Sequence, residues 1–333
     1  MPDPRSTNAL IGHDGAQARL ARAATGPRLH HAWLIAGPRG IGKATLAYRF
    51  ARWLLAGVPV GAAPDLLGLD PAHGTFRRVA ADTHADLLTV ELRYDETRKR
   101  QKTEIAVDDV RAVTEFLRMT PAEGGWRVVV VDGAEAMNHH AANSLLKVLE
   151  DPPPRSVLLL VSHQPGLLLP TLRSRCCRLA LQPLADEAMR RALDTLEIAR
   201  LAPEDLPHLL RLAGGAPGRA LVLANADGLA MSRLAEAVLR DLPQLDYART
   251  QEIADQVVRT DTGFSSFFDA LRGTMAEKLH AAARGEASAL PDGRKLDAWC
   301  EIWQSLGRLQ RDSESFYMEK RQSVANALHL LHA

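Results

Sequence analysis

Gly37-Pro38-Arg39-Gly40-Ile41-Gly42-Lys43 has the spacing G-x-x-x-x-G-K, in which backbone N–H groups cradle phosphates and a lysine reaches the terminal ones. It follows the apolar run Ala32–Ala36 and opens a helical pattern at Lys43–Leu55, the strand–loop–helix setting this chemistry needs. The motif then asks for Ser or Thr to hold magnesium, and the chain has Ala44. Thr45 comes one position later, about 100° further round a helix, and is expected to point elsewhere. Val128-Val129-Val130-Val131-Asp132 is a buried-strand run ending in an acid, where phosphate-loop ATPases carry their magnesium-organising aspartate. A strand-end acid capping a turn is the alternative for Asp132. Gly133 follows it and has no side chain with which to activate a water; Glu135 reads as a surface or structural carboxylate. Further on, Ser174-Arg175-Cys176 presents an arginine suited to reaching a neighbouring subunit's phosphate, with a solvated loop arginine as the alternative.

These residues need a parallel sheet whose strands end on one edge, covered by helices. Strand patterns fall at Ala32–Ala36, residues 87–92, Arg127–Asp132, Ser156–Ser162 and residues 177–181. Lys43–Leu55 reads as a helix with Leu46, Ala47, Phe50 and Leu54 on one stripe, and residues 107–119 as another with Val110, Val113, Phe116 and Leu117 inward. Asn138 is a plausible N-cap for the helix carrying Leu145, Leu146 and Leu149, which stops before Pro152-Pro153-Pro154. After Pro183 no strand run follows. Short helical patterns at 184–196, 204–213 and 219–225 are broken by Gly214-Gly215-Ala216-Pro217-Gly218, and from Asp227 on the chain is helix-rich, closing with residues 299–329. Leu234, Val238, Leu239, Val257, Val258, Phe264, Phe267, Phe268, Leu271 and Met275 are core candidates there. The expected organisation is an α/β phosphate-loop domain over 1–183, a small helical lid over 184–227 and an all-α domain over 228–333.

At 333 residues, two or three domains are expected. Hydrophobic content of 46% and charged content of 24% fit a globular protein, and the apolar runs are too short to span a bilayer. The N-terminus lacks a signal peptide's apolar core, and three cysteines make no disulfide framework, so a reducing cytoplasm is expected. A net charge of +1 and 5% aromatic residues argue against a dedicated nucleic-acid surface. Arg98-Lys99-Arg100-Gln101-Lys102 is the one basic cluster, with a solvated loop as the default and DNA phosphate contact as the alternative.

The chain resembles the delta' family of bacterial DNA polymerase III clamp-loader subunits. The likeness rests on His31-Ala32-Trp33-Leu34 before the glycine loop, Thr120-Pro121-Ala122-Glu123-Gly124-Gly125, and Asp132-Gly133-Ala134-Glu135-Ala136-Met137-Asn138. It continues through Asn143-Ser144-Leu145-Leu146-Lys147-Val148-Leu149-Glu150-Asp151-Pro152-Pro153 and Leu169-Pro170-Thr171-Leu172-Arg173-Ser174-Arg175-Cys176. It covers residues 8 to about 225; the C-terminal third shares only its helical character. The absent Ser/Thr after Lys43 and the absent glutamate after Asp132 favour delta' over the ATP-hydrolysing gamma/tau subunit. The resemblance implies an AAA+ module, a helical lid and a C-terminal helical collar joining a five-subunit ring. It implies that Arg175 is an arginine finger acting in trans on a neighbouring ATPase subunit, with Arg173 the lesser candidate. It also implies a degenerate nucleotide site of Gly37, Gly40, Gly42, Lys43, Thr45, Asp132 and Arg219, the last resembling a lid arginine that senses nucleotide, with a salt bridge at a helix start as its alternative. Ile11-Gly12-His13 resembles the segment over the adenine, His13 itself being expected on the surface. The implied partners are gamma/tau-type ATPase subunits, the delta subunit, the sliding clamp and primed DNA, within the DNA-directed DNA polymerase III holoenzyme. No cofactor is required under this reading, ATP or ADP binding stays open, and the alternative is a self-sufficient clamp-loader ATPase of the gamma/tau type.

Many relatives carry a four-cysteine zinc module between the first helix and the second strand. Residues 56–86 contain no cysteine, and His73, His84, Asp70 and Asp82 have no tight ligand spacing, so no zinc is expected. His139 and His140 diverge on a helix and are expected to be exposed. Cys176 and Cys177 read as a buried thiol pair at a strand start.

Overall fold

The valine and leucine runs are continuous because both faces of their strands are covered, as in parallel sheets generally. The computed structural model describes residues 2–57, 67–92, 94–95, 100–196, 203–224, 226–285, 294–315 and 318–332. In chain order its first part comprises α1 (Asp14–Thr25), β1 (Ala32–Ala36), α2 (Lys43–Leu55), α3 (Gly74–Ala80), β2 (Leu87–Val90), a short antiparallel pair β3 (Tyr94–Asp95) and β4 (Arg100–Gln101), and α4 (Val107–Arg118). There follow β5 (Arg127–Asp132), α5 (His139–Glu150), β6 (Ser156–Ser162), α6 (Pro170–Ser174), β7 (Cys177–Ala180) and α7 (Asp186–Thr195). The main sheet is parallel throughout, in the order β2-β5-β6-β1-β7.

Alternate residues of each strand enter different cores, as the two-residue period requires. Trp33, Ile35, Val128, Val130, Val157 and Leu159 pack with Leu20 of α1, with Leu46, Phe50 and Trp53 of α2 and with Val79 of α3. Leu34, Val129, Val131, Leu158 and Leu160 pack with Val110 and Val113 of α4, with Leu145 and Leu149 of α5 and with Leu172 of α6. Each such buried aliphatic side chain contributes roughly 1.5–3 kcal/mol. The result is the α/β layered architecture with a parallel sheet covered on both faces by helices, as the strand and helix patterns of the sequence predict. Asn138 caps α5, its Oδ1 accepting the Ala141 N–H at 2.9 Å.

The N-terminal segment is held by arginines of α2. Arg52, 1% exposed, donates to the carbonyl oxygens of Arg5 and Thr7, the latter at 2.8 Å. Arg5 in turn donates to Glu91 Oε1 at 2.7 Å, just past the end of β2. That ion pair accompanies the end of the strand at Val90, short of residue 92.

By its contacts the chain divides into two compact units, Met1–Glu197 with Gly214–Arg219, and Ile198–Ala213 with Ala220–Ala333. The later helices are α8 (Leu206–Ala213), α9 (Pro217–Ala224), α10 (Ala226–Asp241), α11 (Tyr247–Val257), α12 (Gly263–Ala283), α13 (Leu296–Ser315) and α14 (Lys320–His332). In the second unit α10, α12 and α13 pack together, α14 lies against α11 and α13, and Val238, Phe264, Phe267, Phe268, Leu271, Trp299 and Leu328 fill the core. Val258 differs from expectation: it is the half-buried C-cap of α11, and Val257 takes the inward position.

Candidate phosphate-loop site

In a parallel sheet the carboxyl ends of the strands share one edge, where loops form ligand sites. β1 leads there into the glycine loop, β5 ends in Asp132, and β6 leads into His163. Gly37 donates its N–H to the Ser162 carbonyl at 3.3 Å, joining the loop to β6. Gly42, at φ +103°, is the N-cap of α2, and Lys43 begins the helix. Thr45 is half-buried one position past Ala44.

Lys43 folds back on its own loop, its Nζ donating to the Pro38 carbonyl at 2.6 Å, and is 3% exposed. Burial pulls its ammonium down to about 8, against the opposing influence of Asp132 and Glu135. Burial pushes the Asp132 carboxyl up, Glu91 adds to this and Lys43 opposes it. Glu135 is built into the site: its Oε1 accepts the backbone N–H of His163 at 3.0 Å, while its buried Oε2 has no hydrogen-bonding partner among the described residues. Burial, reinforced by Lys43, lowers the His163 imidazole to about 4, so the ring is neutral at physiological pH.

The segment 214–219 closes against this loop. Gly218 donates its N–H to the Gly40 carbonyl at 2.8 Å, and a Cβ on Gly40 would lie 2.7 Å from the Arg219 nitrogen. The structure therefore gathers Gly37, Gly40, Gly42, Lys43, Asp132 and the backbone of Arg219 at one place. Arg175 lies outside that group, as the C-cap of α6, where it donates to the Thr171 carbonyl at 3.0 Å and to Glu150 Oε1 at 2.8 Å.

His13 corrects the expectation of a surface residue. It is 6% exposed, with Nε2 2.8 Å from the Ile41 carbonyl, so this nitrogen carries the proton and donates to the glycine loop. The cysteines are half-buried rather than buried; burial pushes the Cys176 thiol up to about 12, and Arg19 donates to Cys177 Sγ at 3.3 Å. Sequence reasoning missed His163, for which the available signal was its place directly after a buried strand at the sheet's carboxyl edge. Most of the basic cluster Arg98–Lys102 lies outside the described residues or side chains; Lys102 Nζ is 3.9 Å from Asp109 Oδ1. Among the described residues no group of three or more His, Cys, Asp or Glu side chains could hold a metal ion, and no helix is long and apolar enough to cross a membrane.

Ala44 stands at the position where the phosphate-loop motif has Ser or Thr, Gly133 follows Asp132, and Lys43 Nζ is held by the Pro38 carbonyl.

A family model described as "DNA polymerase III, delta subunit" matches residues 12–185. DNA polymerase III subunit delta' of Pseudomonas aeruginosa is 42% identical over 192 residues, covering 56% of this chain and 53% of that protein. The Escherichia coli subunit delta' is 35% identical over 225 residues, covering 66% and 62%. Subunit tau of Escherichia coli is 29% identical over 247 residues, covering 72% of this chain and 36% of that protein. The matched region thus spans less than two thirds of each of these relatives. With the glycine loop, the parallel sheet and the Ser174-Arg175-Cys176 turn in place over the matched residues, the chain belongs to the DNA polymerase III delta-subunit family and is delta'-like in the part it shares.

Proposed function

We propose that this chain is a delta'-like subunit of a DNA polymerase III clamp loader, which helps place a sliding clamp on primed DNA in the cytoplasm and does not hydrolyse ATP by itself. Its immediate partners are gamma/tau-type ATPase subunits and a delta subunit, and clamp and DNA are met through the complex. Residues 1–183 form the AAA+ module of this proposal, 184–227 its lid and 228–333 the collar. One observation carries the reading: the glycine loop runs from β1 into α2 with Gly42 at the helix start, while Ala44 and Gly133 occupy the positions read as magnesium ligand and base, and Arg175 stands apart at the C-cap of α6. The relatives named delta' support it.

Arg175 is assigned as the arginine finger acting on the neighbour's nucleotide. A guanidinium beside a transferring phosphoryl group stabilises developing charge, an effect of about 10³–10⁵ in rate in well-studied cases. The test is reconstitution with the cognate loader subunits. Arg175→Ala is expected to leave assembly intact and to depress clamp- and DNA-stimulated ATPase, with little rescue by Arg175→Lys, because a point charge does not reproduce the planar fork. Arg173→Ala, in the same turn, is the control. Equal effects from the two alanine variants, or loss of assembly with Arg175→Ala, refute the assignment. Robust turnover by the purified chain alone favours the gamma/tau-type motor instead; the double change Ala44→Ser with Gly133→Glu is expected to be needed before any turnover appears.

A further inference from the structure

The finger assigned above is already occupied within its own chain. Arg175 Nη1 donates to the Thr171 carbonyl at 3.0 Å, and Nη2 donates to Glu150 Oε1 at 2.8 Å. Thr171 belongs to α6, whereas Glu150 is the last residue of α5, so two elements converge on one guanidinium. The carboxylate stands at the carboxyl end of a helix, where the macrodipole disfavours an anion, so helix stability gives no reason for Glu150 to be acidic. Its pairing with Arg175 does.

The pair is also easily broken. The side chains are 36% and 55% exposed, and such pairs are weak and screened by salt. A phosphate oxygen offers Nη2 the same charge-assisted geometry, so carboxylate and phosphate compete for one group of hydrogens.

We propose that Glu150 is a latch on Arg175, holding the guanidinium against α5 until the phosphate of a neighbouring subunit's nucleotide displaces the carboxylate. Glu150 is a positioning residue in this scheme; it touches no nucleotide. The scheme rests on the reading of Arg175 as a finger in trans. The latch lowers the loader's apparent affinity for ATP at that one interface, because part of the binding energy goes to opening the pair. Removing it is expected to lower the ATP concentration for half-maximal turnover by up to about fivefold, the upper range for an exposed pair.

Two measurements separate the latch from the finger. In the purified chain, the rate at which phenylglyoxal modifies Arg175, followed by peptide mass spectrometry, is expected to rise in Glu150→Gln and Glu150→Ala. In the reconstituted loader, the same variants are expected to lower the half-maximal ATP concentration at low salt, and the difference from wild type is expected to vanish as salt rises. A modification rate unchanged by both variants overturns the latch. So does a faster rate in the free chain with an unchanged or raised half-maximal concentration in the loader. Normal stimulated turnover in Arg175→Ala refutes the finger, and with it any action of the latch on nucleotide, while the modification rate still reports whether the pair exists.

Discussion

Alanine at Gly40 tests whether segment 214–219 is clamped on the phosphate loop. Gly40 sits at φ +78°, and an added Cβ would meet the Arg219 nitrogen at 2.7 Å, inside any normal contact. The left-handed backbone alone costs an L-residue about 1–2 kcal/mol, partly offset by the ~0.4–1 kcal/mol that alanine removes from the unfolded chain's freedom. Forcing backbone apart in a packed region adds about 1–3 kcal/mol, for a total of about 1–4.5 kcal/mol. Gly57 provides the control, since it has φ +80° and, among the described residues, nothing within 4 Å of the same added atom. The difference between Gly40→Ala and Gly57→Ala therefore isolates the contact, about 1–3 kcal/mol. Hydrogen exchange followed by mass spectrometry reads it locally, at the Gly218 amide bonded to the Gly40 carbonyl at 2.8 Å. Exchange there is expected to be about 5- to 150-fold faster in Gly40→Ala and near wild type in Gly57→Ala. Equal protection in the two variants refutes the clamp.

His163 gives the chain a pH dependence that can be assigned. Its folded value near 4 lies below the ordinary 6.5, so between those values the unfolded chain binds more protons and stability rises with pH; it is lost as pH falls from 6.5 towards 4. The urea midpoint of His163→Asn is expected to fall less steeply than that of wild type across this window, and parallel curves would show that the ring is not buried at the loop. Elemental analysis of protein purified without chelator is expected to find zinc far below one equivalent; a stoichiometric metal overturns the reading of residues 56–86.

Strands β1, β5 and β6 were legible to the residue because a strand covered on both faces admits little but branched and aliphatic side chains, and a polar residue marks where cover ends. Helix α2 was legible because its start is fixed by the glycine loop. The helices α1 and α3 were not singled out. Ala-rich α1 shows only a weak stripe, and His73 caps α3 with a ring nitrogen accepting the Thr75 N–H at 3.2 Å, an unusual start signal. The glycine loop, Asp132 and Arg219 were placed by motif, and the fold brings them together. The burial of His13, the tie of Glu135 to His163 and the pairing of Glu150 with Arg175 were not legible. Each depends on residues far apart in sequence meeting across loops, which periodicity does not encode.

The arginines of α2 carry a practical consequence for anyone handling this chain. Arg52 remains charged at neutral pH, burial lowering it only to about 10, and its hydrogens end on the carbonyls of Arg5 and Thr7. Removing residues 5–7 would take from this buried cation the two carbonyl acceptors it has among the described residues. Truncation series that remove Arg5 and Thr7 are therefore expected to report on the stability of α2, whose buried Arg52 those carbonyls serve, before they report on any activity.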